Sequence, residues 1–114
     1  MINIDEIKEF LGSDNSFIVH LMEKFILESG NDLKKLRSAS NEKNRLLTSA
    51  IAHKMLSSTR IFCLHELSKK LEAIEILTEK RYEPQKISEL ITEMELLWEK
   101  VIGETIQAQK ELKL

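Results

Sequence analysis

The chain has little cysteine, proline or glycine, with one, one and three of these residues among 114. A single cysteine excludes an internal disulfide and fits a reducing cytoplasm. Scarce proline and glycine leave few obligatory turns, which favours long helices. No apolar run approaches the roughly 20 residues of a membrane-spanning helix, and no signal-peptide pattern begins the chain. The sequence therefore predicts a cytoplasmic domain without direct membrane contact.

An excess of charge of one sign is also missing. The formal net charge is −2 at pH 7, and the lysines and arginines are scattered among acidic residues. Without a basic stripe, the chain offers no footprint for nucleic acid. Apolar residues make up 42% and charged residues 32%, which is typical of a folded soluble protein. The length fits one domain, 1–114, with a single hydrophobic core.

Apolar residues recur at helical spacing along five segments, and no stretch alternates as a strand would. A short helix is predicted over 4–11, where Gly12 ends it. Longer helices are predicted over 15–38, 42–62, 64–78 and 84–110, with Pro84 in the first turn of the last. Gly30 interrupts the second helix without ending it. The predicted fold is all-α, an antiparallel up-and-down four-helix bundle with a short extra N-terminal helix.

On the third predicted helix, one histidine lies away from the expected core. Successive residues advance by about 100° around a helix axis, which assigns one set of positions to the core face. That set is Leu47, Ile51, Met55, Ser58 and Phe62. His53 falls on another side, so it is predicted to be at least partly exposed. An exposed histidine is usually an ordinary surface residue, but it also suits a metal ligand, a base or a nucleophile offered to a partner.

The neighbours of His53 favour the last of these interpretations. They are Ser49, Leu56, Ser57 and Arg60, with Ala50 one turn before. The small residues leave the ring open, and Leu56 is an apolar residue on a side predicted to be exposed, as in a docking patch. Lys54 lies near the core stripe, so its stem would be buried while its charge reaches water.

A longer pattern connects His53 to the helices on either side. Its positions are Phe25, Leu33, Leu36, Ala39, Ala52-His53, Met55, Leu67, Leu71, Ile74 and Glu75. In spacing, residues 14 to 76 resemble the histidine-containing phosphotransfer (HPt) domains of two-component phosphorelays. The version beginning at His53, "HKML", is similar to the HPt domains at the ends of bacterial hybrid sensor kinases. Leu56 stands where that family has lysine, while Ser57 and Cys63 stand where it has glycine.

The resemblance implies a four-helix bundle whose exposed histidine carries a phosphoryl group between the aspartates of response-regulator receiver domains. His53 would be the phosphoacceptor, and the partner-binding residues would be Ser49, Lys54, Leu56, Ser57 and Arg60. Lys54 and Arg60 would replace the missing lysine as local cations. The receiver would bring magnesium, so the chain needs no cofactor or metal of its own. The family also implies a monomer, free-standing or at the cytoplasmic end of a membrane-anchored sensor kinase.

Imidazole suits such a carrier because its ordinary pKa of about 6.5 leaves a neutral nucleophile near pH 7. In phosphoryl transfer the protein mainly positions groups and stabilises charge. The chain has no Gly-rich phosphate loop and no paired catalytic carboxylates, which favours a phosphoryl carrier over an independent enzyme.

Other signals in the sequence are weaker. His65-Glu66-Leu67 begins like a sensor-kinase phosphoacceptor box, but residues 68–70 do not continue it. Cys63 and His65 are two residues apart and do not share a helical face, so they do not form a metal site. His20 has no chemical partner in the sequence. A helical adaptor that binds a partner without carrying phosphate stays open as the alternative, because Leu56 and Ser57 depart from the family pattern.

Overall fold

The computed structural model describes residues 2–113 and contains five α-helices joined by short links. They are α1 (Ile4–Leu11), α2 (Asn15–Asn41), α3 (Arg45–Ile61), α4 (His65–Glu79) and α5 (Pro84–Lys113). No strand occurs within this range, so the all-α prediction is confirmed. All five predicted helices are present, although α2 ends at 41 instead of 38, α3 begins at 45 instead of 42, and α5 ends at 113 instead of 110. Residues 1 and 114 of the predicted domain lie outside the described residues.

The four long helices bury their apolar sides in one core. α2 contacts α3 and α5, and α4 contacts the same two helices, while α1 contacts α3. Completely buried side chains come from all five helices and include Ile7, Met22, Leu36, Ile74 and Ile91. Each such residue stabilises the fold by roughly 1.5–3 kcal/mol relative to an exposed one. The core therefore holds α3 firmly between its two neighbours.

Gly30 does not interrupt α2, because it faces the indole ring of Trp98 on α5. A Cβ atom at position 30 would lie 3.3 Å from that ring, which is tighter than an ordinary contact. On the preceding residue, Ser29 Oγ accepts a hydrogen bond of 2.9 Å from Trp98 Nε1. The glycine thus allows α2 and α5 to approach closely, and this gain offsets its low helix propensity.

Side chains cap the first three helices at their N-termini. The capping residues are Asn3, Asp14 and Asn44, and each accepts a hydrogen bond from the backbone N–H three residues later. Such a cap typically contributes about 1 kcal/mol, because it satisfies a donor that the helix itself leaves unpaired. The sequence "SDNS" before α2 predicts its cap correctly, and Asp14 is the residue that forms it.

Two tight turns hold both ends of α3 in place, and each contains a residue with left-handed backbone geometry. Lys43 has φ 56°, and Cys63 has φ 54°. After α2, Asn44 N donates to Ala39 O at 2.9 Å; after α3, Leu64 N donates to Thr59 O at 2.9 Å. This is the Schellman arrangement, which usually has glycine at the left-handed position.

Glycine at either left-handed position is expected to stabilise the protein. Lys43→Gly and Cys63→Gly should each raise the free energy of unfolding by about 1 kcal/mol, because a side chain is strained at positive φ. Lys80 is the matched control, since it also ends a helix but has φ −96°. Lys80→Gly should lower the stability by up to about 1 kcal/mol. Urea unfolding of the three variants measures the differences, and equal effects at 43 and 80 would contradict the prediction.

Helix α1 packs beside the turn between α3 and α4. His65 Nε2 lies 2.9 Å from Glu6 Oε1, and Ile7 is completely buried. Burial, followed by the charge and hydrogen bond of Glu6, raises the pKa of the Cys63 thiol above its usual value. A thiol held in its neutral form is a poor nucleophile. Cys63 is therefore a half-buried turn residue with an unreactive thiol.

The predicted core face of α3 is wrong in part. Leu56 was expected on the exposed docking side, but it is only 4% exposed, and Leu47 of the expected core face is exposed instead. The buried face also includes Thr48 and Thr59, whose hydroxyl groups bond to Asn44 O and to Leu56 O. Threonine can be buried when its hydroxyl forms a hydrogen bond. A prediction of the buried face of α3 that considers only large apolar residues therefore puts this face in the wrong position. Leu56 is a core residue and does not form a docking patch.

Two leucines of α3 test this correction. Leu56→Ala should lower the free energy of unfolding by about 3 kcal/mol, because it leaves a cavity in a packed core. Leu46, on the same helix, is 86% exposed, and Leu46→Ala should change the stability by less than about 0.5 kcal/mol. Chemical denaturation of both variants gives the comparison. Similar losses at the two positions would mean that the burial described here is incorrect.

Candidate functional site

His53 lies near the middle of α3, on the side that borders α4. Its side chain is 72% exposed. Ala50 and Ser57, one turn before and after it, are small, so α3 itself does not screen the ring. Ser57 Oγ donates to the carbonyl oxygen of His53 at 3.4 Å, which turns the hydroxyl back toward the helix. The ring is therefore open to a second molecule, as the sequence predicted.

Glu75 on α4 orients the ring of His53. Nδ1 lies 3.2 Å from Glu75 Oε1 and 3.3 Å from Oε2, and the carboxylate is only 16% exposed. An ionised carboxylate only accepts hydrogen bonds, so Nδ1 carries the hydrogen and the lone pair of the neutral ring lies on Nε2. Within residues 2–113 nothing forms a hydrogen bond with Nε2. The site thus presents one nucleophilic nitrogen on an oriented ring.

Glu75 is the middle member of three glutamates on α4 that face α3, which we call the acidic ladder: Glu72, Glu75 and Glu79. Glu72 Oε1 lies 3.0 Å from a guanidinium nitrogen of Arg60, and Glu79 Oε1 accepts a bond of 3.2 Å from Ser49 Oγ. Pairs this exposed contribute little stability. Instead, each pair holds a side chain of α3 in a defined position against α4.

The two predicted cations are directed away from His53. Lys54 Nζ lies 3.1 Å from Asp32 Oδ1, and Asp32 is a buried residue of α2. Arg60 is bound to Glu72 and lies two turns from His53, or about 10 Å along the helix axis. The structure therefore brings Ser49, Ser57 and Glu75 close to His53, but it commits Lys54 and Arg60 to other carboxylates.

A shallow depression of about 830 Å³ borders the ring on the side of the α2–α3 turn. We call it the α3–α4 depression, and it is lined by Arg45, Leu46, Ser49, Ala50, His53, Thr78 and Glu79. Arg45 donates to the carbonyl oxygens of Thr78 and Glu79 and lies 5.3 Å from the centre of the Tyr82 ring. Its guanidinium thus caps the C-terminal end of α4, where the helix dipole favours a cation.

The remaining histidines give no sign of a site. His20 is exposed, and His65 is 70% exposed with its contact to Glu6. The part of the chain that the structure describes contains no group of three or more His, Cys, Asp or Glu residues that could hold a metal ion. None of the helices in that part is both long and apolar enough to cross a membrane.

Sequence reasoning did not assign a role to Glu75 or Asp32. Glu75 stands in the motif register from Phe25 to Glu75, and that register was the one signal that could have indicated it. Asp32 stands in a mostly polar stretch of α2, where nothing in the sequence indicates that it is buried, and its proximity to Lys54 on another helix is not visible there either.

Comparisons with known proteins add no assignment. No family model, no curated protein and no solved structure gives a significant match to this chain. The geometry of the site is therefore the basis for a functional assignment.

Proposed function

We propose that this chain is a phosphorelay carrier, in which His53 accepts a phosphoryl group from the aspartate of one receiver domain and passes it to the aspartate of another. The observation that carries the proposal is the state of the His53 ring. Its Nδ1 is held by Glu75, its Nε2 is unoccupied by any described residue, and the side chain is 72% exposed. A nucleophile that must meet a large partner needs this combination of orientation and access.

The transfer would proceed by in-line displacement at phosphorus. Nε2 attacks the phosphorus of the partner's aspartyl phosphate, the bond from phosphorus to the aspartate oxygen breaks, and a free carboxylate leaves. The ring gains positive charge as the P–N bond forms. Glu75 supports that change because its carboxylate accepts the hydrogen bond from Nδ1. Transfer to the second receiver is the reverse displacement.

The distribution of cations supports a partner that supplies its own positive charge. Lys54 and Arg60 are paired with Asp32 and Glu72, so neither cation is directed at His53. A receiver domain that brings magnesium and a lysine, as the family resemblance implies, meets that need. In the proposed relay this chain provides the nucleophile and the docking surface, and it acts in the cytoplasm as a monomer.

The proposal includes an antiparallel four-helix bundle with α1 across one end. Along α2 and α5 the contacts pair Val19 with Gln109 and Ser29 with Trp98, so rising numbers on one helix meet falling numbers on the other. The acidic ladder pairs α3 and α4 in the same manner, through Ser49 with Glu79 and Arg60 with Glu72. A bundle of this kind would hold the ring on a rigid helix.

An adaptor that binds a receiver without accepting phosphate is the second candidate function. The observation in its favour is that the structure leaves no predicted cation beside His53, since Lys54 and Arg60 are both paired. An adaptor would bind a receiver but would not depend on the nucleophilic nitrogen.

Transfer from a phosphorylated receiver domain separates the two functions. We expect the wild-type chain to acquire acid-labile, base-stable phosphate, while His53→Gln acquires none because it lacks the nucleophile. His20→Gln and His65→Gln remove the other two histidines and should be labelled like the wild type. Radiolabel transfer from a panel of purified receiver domains charged with acetyl phosphate measures the difference. Binding of receivers without any label would support the adaptor instead.

Glu75 provides a second test of the mechanism. Glu75→Ala should slow transfer from the receiver by about tenfold to a hundredfold, because a hydrogen bond to a charged group is worth roughly 1.5–3 kcal/mol. Glu75→Gln keeps an acceptor for Nδ1 and should recover part of the rate. Glu72→Ala, one turn away in the acidic ladder, is the matched control and should change the rate by less than about threefold, because Glu72 holds Arg60 and not the ring. Equal losses at positions 72 and 75 would argue against an orienting role for Glu75.

A further inference from the structure

Helix α1 depends on the rest of the fold for its stability. It has 8 residues, of which Ile7 is completely buried, whereas Phe10 is 66% exposed. A helix this short has little stability of its own in water, because its first turn orders several residues for a single hydrogen bond. Whether α1 stays in place is therefore decided by its contacts with the bundle.

The polar contacts between this part of the chain and the bundle lie near the surface. Glu6 Oε1 is 2.9 Å from His65 Nε2, and the two side chains are 41% and 70% exposed. Just before α1, Ile2 N donates to Glu104 Oε1 at 3.0 Å, in a bond that is only partly buried. Exposed pairs contribute little stability. Apolar contacts, above all the burial of Ile7, therefore keep α1 in place.

The link from α1 to α2 contains a backbone geometry that favours glycine. Gly12 has φ 89° and ψ −176°, and its N–H donates to Lys8 O at 2.8 Å. Residues other than glycine avoid this geometry, because a Cβ atom is strained there. Residues 12–14 are exposed and belong to no helix. The link can therefore change its dihedral angles without disturbing the core, which is what a hinge requires.

Cys63 lies where α1 meets the turn between α3 and α4. The thiol is half-buried, and its burial, together with Glu6 and Glu9 of α1, raises its pKa. Glu6 also forms a hydrogen bond with the thiol, so α1 is in contact with the sulfur atom. Exchange with a disulfide needs a thiolate with access to the disulfide. Both the ionisation of Cys63 and access to it therefore depend on the position of α1.

We propose that α1 is a strap that opens as a unit on residues 12–14, and that its opening makes Cys63 a site of exchange with a small disulfide. In this exchange the thiol loses its proton to water, and the thiolate attacks one sulfur atom of the disulfide. The S–S bond breaks, and the other half of the disulfide leaves as a thiolate. The proposal is independent of the phosphorelay, because neither α1 nor Cys63 lines the α3–α4 depression beside His53.

Amide hydrogen exchange and thiol labelling measure the opening independently. Cys63 is the single cysteine, so dithiodipyridine, a neutral disulfide, labels this position alone. After correction for intrinsic rates, the amides of α1 should exchange at least about tenfold faster than those in the core of the bundle, because a local opening needs no global unfolding. Cys63 should react at least about tenfold more slowly in the folded chain than in the chain unfolded by urea.

A substitution in the hinge should favour the open state. Gly12→Ala should raise both the amide exchange of α1 and the labelling of Cys63 by about tenfold, because alanine is strained in the closed link. Gly103→Ala is the matched control, since it makes the same change at an exposed helical position of α5 where a Cβ atom meets nothing within 4 Å. It should leave both rates within about threefold of the wild type.

Two truncations on α1 test the strap without changing the hinge. Ile7→Ala removes the completely buried side chain and should raise both rates by at least about tenfold. Phe10→Ala removes an exposed side chain and should change them by less than about threefold. In both variants the amides in the core of the bundle should exchange as in the wild type, which also verifies that the bundle is folded.

The possible results separate the parts of the proposal. If α1 exchanges as slowly as the core, or if Ile7→Ala accelerates exchange in the core as much as in α1, the helix belongs to the cooperative bundle and the strap is overturned. Equal effects of Gly12→Ala and Gly103→Ala would overturn the hinge. If α1 opens as expected but the labelling of Cys63 does not follow it, the exchange site is overturned.

Discussion

The contact between His53 and Glu75 determines what the exposed face of this protein can do chemically. Because a carboxylate can only accept, it fixes the hydrogen on Nδ1 and leaves the lone pair of the neutral ring on Nε2. Glu75 is itself largely buried, so it holds a defined position between α3 and α4. An exposed histidine without this contact would rotate freely and present either nitrogen. With it, Nε2 points in a defined direction, away from Glu75.

That contact depends on the placement of α3 relative to α4, which the core and the turns maintain. Met55 is buried on the side of α3 away from the ring, and Leu56, about one turn after His53, is buried as well. The turns at Lys43 and Cys63 are closed by backbone hydrogen bonds and define where the helix begins and ends. The left-handed geometry costs free energy at each turn, and the short connection that it allows keeps neighbouring helices in register.

The helices could be predicted from the sequence because their apolar residues recur at spacings of three and four, and because Gly12, Pro84 and the polar links mark their ends. The buried face of α3 could be predicted only in part. Large apolar residues marked one side of it. Thr48 and Thr59 are buried too, with hydroxyls that bond to carbonyl oxygens four and three residues earlier, and which threonines are buried depends on where the neighbouring helices pack. Leu56 was misplaced for that reason.

The exposure of His53 followed from its position on the helix, but its partners did not. Glu75 is 22 positions further along the chain, and its distance to the ring depends on how α3 and α4 are aligned along their axes. The same is true of Lys54, which the sequence offered as a local cation and which the fold commits to Asp32 of α2. Helical periodicity indicates which way a side chain points, but it does not indicate what lies opposite.

The single tryptophan of the chain has a consequence for experiments on this protein. Trp98 packs between α5 and α2, with its indole N–H on Ser29 and its ring against Gly30, and it lines none of the α3–α4 depression. Its fluorescence therefore reports the integrity of the helix interior, separately from events at the histidine face. Tryptophan fluorescence can therefore distinguish a variant that is altered only at its surface from one whose core has lost its packing, and both can be measured in a single sample.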